Sequence, residues 1–199
     1  MENTKTKNKT WLRNTIRDAG GTHALTLNFT TDKWTYNSDP KHRVALQQKA
    51  EEILYKGFEC IAKKLYGPRH SKKNIMNRIV VYEYGKADKA HRLHAHCVID
   101  LSDWKESPEK LAAGVKTGIS KCHGLADNEY DFQEMYYQED GYGWEDYITK
   151  FVNYSDFSTI DLRNSKIKKD WVGACVAVAL AQKATLPDSS KQWKIWGSN

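Results

Sequence analysis

The sequence predicts an α+β fold: a central antiparallel sheet with helices packed on one face, in the order βαββαβ, and a further helix near the open sheet face. Three observations predict it. Runs with strand periodicity and β-branched or aromatic composition occur at 22–30, 79–84, 91–101 and 130–137. Two long stretches, 41–66 and 108–119, repeat apolar residues every three or four positions instead, which is helical spacing. Their order along the chain makes two halves, each able to lay a helix on the same side of one sheet.

Length and composition are consistent with that class. At 199 residues and 40% hydrophobic content, the chain can bury one sizeable core. No apolar run of about eighteen residues occurs, and residues 1–9 are polar. The expectation is therefore a soluble, intracellular protein with no membrane partner. Cys60, Cys97, Cys122 and Cys175 form no C-x-x-C pair, which argues against a zinc knuckle or a disulfide framework. The net charge of +6 hides an asymmetry. Residues 102–146 carry eleven carboxylates against four lysines, so the basic residues gather at the N-terminus, at 63–78 and at 163–169. Interleaved with Tyr and Trp, such a surface suits a polyanion, and also suits plain solvation.

Taken in order, residues 1–21 read as a basic, loosely held N-terminal arm ending at the breaker Gly20-Gly21. In 22–30, Leu25, Leu27 and Phe29 alternate with Thr26 and Asn28, which makes a half-buried strand. The helix at 41–66 presents Leu46, Ala50, Ile53, Leu54, Phe58, Ile61 and Leu65 to the core and stops at Gly67-Pro68. Residues 79–84 and 91–101 pair as antiparallel strands. Ser107 caps a helix that opens on Pro108 and carries Leu111, Val115 and Ile119. An aromatic strand is expected at 130–137, a helix at 144–154 with Ile148, Phe151 and Val152 inward, and a short strand at 157–162. The main domain is thus 22–162. Residues 163–199 supply a C-terminal helix at 170–183 and a tail, packed on it.

Chemistry-bearing residues gather on one strand face. His94 and His96, two apart, point to the same side and can converge on one divalent ion, and Glu83 on the preceding strand offers an oxygen alongside. The plain alternative is a pair of strand histidines with no ion. Glu83 shares its face with Val81 and Ile79, an odd pair for an open surface. On the helix at 144–154, Tyr147 and Lys150 are surface neighbours, roughly 60° apart around the axis. A cation beside a phenol favours phenolate and can neutralise a phosphate, although an ordinary Tyr beside an ordinary Lys looks the same.

Together, the strand with Leu25-Thr-Leu-Asn28, the His94-Ala-His96 strand preceded by Glu83, and Tyr147-Ile-Thr-Lys150 resemble the three motifs of the HUH endonucleases, in order. Within that superfamily the chain looks most like the nuclease domain of rolling-circle replication initiators (Rep proteins) of the one-tyrosine type, over about 22–154. The resemblance implies an HUH/RRM-like fold, Mn²⁺ or Mg²⁺ bound by Glu83, His94 and His96, and Tyr147 as the nucleophile that nicks and rejoins single-stranded or hairpin origin DNA through a 5′-phosphotyrosine. Phe151 stands where some relatives carry a second tyrosine, and Tyr154 lies two turns on. No phosphate-binding loop G-x-x-x-x-G-K-[ST] occurs, so a separate helicase and polymerase are implied. A transposase or relaxase of the same superfamily shares this chemistry, and a non-catalytic single-strand binder shares the basic and aromatic residues.

Overall fold

The computed structural model describes residues 10, 13, 14, 16, 17, 20–29, 40–69, 76–83, 93–135, 143–149, 159–161 and 163–166. The elements are β1 (His23–Phe29), α1 (Pro40–Tyr66), β2 (Arg78–Glu83), β3 (His94–Ile99), α2 (Pro108–Ser120), β4 (Leu125–Glu134) and α3 (Trp144–Thr149). The strands form one antiparallel sheet in the order β2-β3-β1-β4. Because β1 and β2 both run antiparallel to β3, they are parallel to each other, and a parallel return needs a crossover. The helix α1 supplies it, and α2 does the same between β3 and β4.

Both helices bury their apolar stripes against one sheet face. Leu25, Leu27 and Phe29 of β1, Val80 and Tyr82 of β2, and Ala95, Cys97 and Ile99 of β3 form one core with Leu54, Phe58 and Ile61 of α1 and Leu111, Val115 and Ile119 of α2. Lys63 and Lys64 occupy the last turn of α1, where the helix dipole favours cations, and Gly67 beyond it takes a left-handed φ of 78°. At the start of α2 the Ser107 hydroxyl accepts from the Lys110 amide at 3.4 Å, as the cap expected from sequence. The helices cross closely at Gly118, where a Cβ would lie 2.5 Å from the Ile61 Cα.

Two expectations are corrected. The last strand begins at Leu125, not near Tyr130, and ends at Glu134. Polar, acidic residues such as Asn128, Glu129 and Asp131 sit in it because β4 is an edge strand whose ladder to β1 is made by backbone, leaving side chains exposed to water. The second sheet face is not open at its centre. Ala24, Ile79, Val81 and Val98 on that face are at most 2% exposed. There α3 lies over the sheet, with Trp144 and Tyr147 against His96 and with Ile148 and Thr149 buried. The burial of this face is consistent with Val81 and Ile79 sharing it with Glu83.

Where a short strand was expected at 157–162, Ile160 makes a single antiparallel bridge to Val81, and Lys166 makes another to Arg78. A buried polar network ties this segment down. The Tyr82 hydroxyl donates to Asp161 Oδ2 at 2.6 Å, and the Asn164 amide donates to the same oxygen at 2.7 Å and to the Glu51 carbonyl at 2.9 Å. Nearby, the buried Arg78 guanidinium lies 4.0 Å over the Phe58 ring, and burial lowers its pKa to about 10. In the N-terminal arm Ile16 is fully buried and Arg13 pairs with Asp146. The expected C-terminal helix at 170–183 and the tail lie outside the described residues. No helix among the described residues is long and apolar enough to cross a membrane.

Candidate active site

Strand register brings the site together. On β3, His94 is opposite Glu83 of β2 and Asn28 of β1, while His96 is opposite Val81 and Thr26. All of these side chains fall on the face away from the main core. His96 is 6% exposed, and both of its ring nitrogens are engaged: Nε2 lies 2.8 Å from Glu83 Oε2 and Nδ1 lies 3.1 Å from Thr26 Oγ1.

A relay across the sheet sets the His94 tautomer. The Asn28 amide nitrogen donates to the backbone carbonyl of Glu129 on β4, which turns its Oδ1 toward His94 Nδ1. That oxygen only accepts, so Nδ1 carries a proton, and in the neutral ring the lone pair then falls on Nε2, the form a metal requires.

The tyrosine comes from a different element. In α3 the Asp146 and Tyr147 amides donate to the Gly143 carbonyl at 3.1 and 3.3 Å, and Ile148 and Thr149 are buried. The described part of α3, Trp144–Thr149, is tied to the sheet by ring and hydroxyl contacts. The Tyr147 ring meets His96 edge to face, with centroids 5.2 Å apart at 86°. Its hydroxyl donates to Glu83 Oε2 at 3.3 Å while the side chain keeps 42% of its surface exposed. Trp144, one turn earlier, stacks on Tyr147 at 5.1 Å and 20°.

Among the described residues no three His, Cys, Asp or Glu side chains are gathered as a metal-holding group. The donor set nevertheless suits an ion in part. Neighbouring ligands on an octahedral divalent cation stand about 3 Å apart, and the His96 to Glu83 separation is 2.8 Å. His94 stands beside this pair, its ring centroid 6.3 Å from that of His96, and is engaged with Asn28.

Of the residues singled out from sequence, Glu83, His96 and Tyr147 therefore form one hydrogen-bonded chain with His94 adjacent. Lys150 and Tyr154 lie outside the described residues. Sequence reasoning missed Trp144 as a ring partner, although its position three before Tyr147 is a usable signal. It also missed Arg13 and the Glu129 carbonyl, for which a single sequence offers none. Searches against protein-family models, curated proteins and solved structures find no match to this chain.

Proposed function

We propose that this chain is a metal-dependent, site- and strand-specific endonuclease of the HUH type, which nicks and rejoins single-stranded DNA through a 5′-phosphotyrosine and so initiates rolling-circle replication of a phage, plasmid or virus. The observation that carries the reading is the hydrogen-bonded chain of Tyr147, Glu83 and His96 on one face of the sheet. The element order and the strand order β2-β3-β1-β4 support an HUH/RRM-like layout.

The chemistry is a transesterification. Tyr147 Oη attacks the scissile phosphorus in line, the bond to the 3′-oxygen breaks, and that oxygen leaves as a 3′-hydroxyl after taking a proton from solvent. The hydrogen bond to Glu83 Oε2 aims the phenol and gives its proton a first acceptor. Trp144 holds the phenol ring from behind, and the phosphodiester energy is kept in the new bond so that a strand end can reverse the step. A divalent ion, Mn²⁺ or Mg²⁺, held by His96 and Glu83 with His94, would withdraw charge from a non-bridging phosphate oxygen. Lys150, as a cation three residues from Tyr147, would stabilise the same charge. The substrate is single-stranded or hairpin origin DNA, and unwinding and synthesis fall to a separate helicase and polymerase in the host cytoplasm.

The test incubates the protein with a labelled, randomised pool of single-stranded and hairpin oligonucleotides and, in separate arms, Mn²⁺ or Mg²⁺, then resolves it in boiling detergent. A covalent adduct that maps to the Tyr147 peptide and disappears in Tyr147→Phe is expected. Binding of the pool with no adduct in either metal would make the protein a non-catalytic single-strand binder instead.

A further inference from the structure

The helix that carries Tyr147 meets the sheet through the Tyr147 ring and hydroxyl, and a further contact comes from the N-terminal segment. Arg13 Nη2 lies 2.9 Å from Asp146 Oδ2, with the two side chains 26% and 17% exposed. The contact is Coulombic, since the guanidinium N–H is not aligned on that oxygen as a directed hydrogen bond. Three residues on, Ile16 is fully buried, so the same segment is anchored by an apolar side chain as well as by charge. Arg17 receives the Gly20 amide on its carbonyl at 3.0 Å, closing the turn that leads into β1. The segment is thus held at both ends: by Ile16 and this turn near the sheet, and by Arg13 at the tyrosine helix.

From this arrangement we infer that Arg13 is a positioning residue for Tyr147: the N-terminal segment acts as a strap whose ion pair to Asp146 holds α3 so that the phenol meets Glu83 and His96. Asp146 precedes Tyr147 directly, so a rotation of α3 that frees Asp146 also swings the phenol off the carboxylate. The sheet residues need no such strap, because the ladders on both sides of β3 fix them. This inference rests on Tyr147 being the nucleophile, but the strap itself is read from α3.

The experiment uses the full chain and two readouts. Single-turnover adduct formation at saturating oligonucleotide is measured beside the Kd, and amide hydrogen exchange is followed over 144–149. Arg13→Ala is expected to slow adduct formation about fivefold, the reach of one partly exposed ion pair, with Kd changed less than about twofold and with faster exchange confined to α3. Arg13→Asp, which sets two carboxylates together, is expected to be slower still. The reversed pair Arg13→Asp with Asp146→Arg recovers most of that loss. Unchanged exchange over α3 in Arg13→Ala, or no recovery in the reversed pair, would overturn the strap. A higher Kd with an unchanged saturating rate would make Arg13 a phosphate contact and overturn it too. If the wild-type protein forms no adduct, the nuclease reading fails, while hydrogen exchange still decides whether Arg13 holds α3.

Discussion

Glu83 Oε2 is shared by two partners, His96 Nε2 at 2.8 Å and the Tyr147 hydroxyl at 3.3 Å. One carboxylate oxygen on strand β2 therefore links the strand that carries the imidazoles to the helix that carries the phenol. Glu83→Gln keeps the shape of the side chain and removes its charge. On the proposed reading it is expected to abolish divalent-ion-dependent cleavage while leaving oligonucleotide affinity within about threefold, since binding would rest on basic side chains elsewhere. Full cleavage by the glutamine variant, measured at several Mn²⁺ concentrations, would remove Glu83 from the chemistry.

The two histidines differ in burial, and their variants are expected to differ too. His94→Ala should lose metal-dependent cleavage with little change in Tm. His96→Ala should lose it and also cost about 1–3 kcal/mol of stability, because His96 is buried with both nitrogens engaged. Asn28→Ala, which removes the acceptor from His94 Nδ1, should weaken Mn²⁺ binding by roughly 10–100-fold, the usual loss for a second-sphere partner. Isothermal titration with Mn²⁺ alone reads this without any substrate.

A third expectation concerns pH. Burial, and then the nearby Asp161 charge, push the Glu51 carboxyl up to about 7 from an ordinary 4.5, against smaller opposing effects of Gln47 and Arg163. A folded-state pKa raised above the unfolded one gives stability that is complete below about 4.5 and is lost as pH rises through about 7. Glu51→Gln should therefore raise Tm at pH 8, change it little at pH 4.5, and flatten the slope between. Because Glu51 is only part-buried, the gain should be about 1 kcal/mol, well below what the whole shift implies. Equal Tm differences at both pH values would contradict the assignment.

Helix spacing offers a test independent of function. Gly118→Ala places a Cβ 2.5 Å from the Ile61 Cα, a backbone atom that cannot yield without moving α1. Despite the better helix propensity of alanine, it should destabilise by about 2 kcal/mol, or roughly 4–8 °C in Tm. Gly114→Ala meets only the end of the Leu65 side chain, at 2.6 Å, and should cost much less. Equal losses at the two positions in thermal denaturation would refute the close helix contact.

What sequence made legible was periodic or adjacent. The two-residue alternation of Leu25, Leu27 and Phe29 and the three-to-four spacing along α1 place the main core, and the Ser107-Pro108 cap starts α2 where expected. His94 and His96 share a face for the same reason. The edge strand was misplaced because its exposed half has no apolar alternation, and only its pairing with β1 makes residues 125–129 a strand. The covered second face was equally hidden: Ile79 and Val81 hinted at a cover, but nothing local names α3 as lying against His96 there. Arg13 and Asp146 are 133 positions apart, and Tyr82 and Asp161 are 79 apart. Contacts at such separations leave no periodic trace in one sequence.

The bridges from Ile160 and Lys166 to β2 bear on how short a working fragment can be. Strand β2 sits at the rim of the sheet, and its Ile79, Val80, Val81 and Tyr82 are nearly inaccessible. The Arg78 and Tyr82 amides donate to the carbonyls of Lys166 and Thr159, at 2.6 and 2.7 Å. A chain cut after Tyr154 would keep every residue of the proposed chemistry and yet bare this sticky border, inviting strand-to-strand association between molecules. Solubility, rather than catalysis, then sets the minimal length, and it requires the chain to run to Lys166.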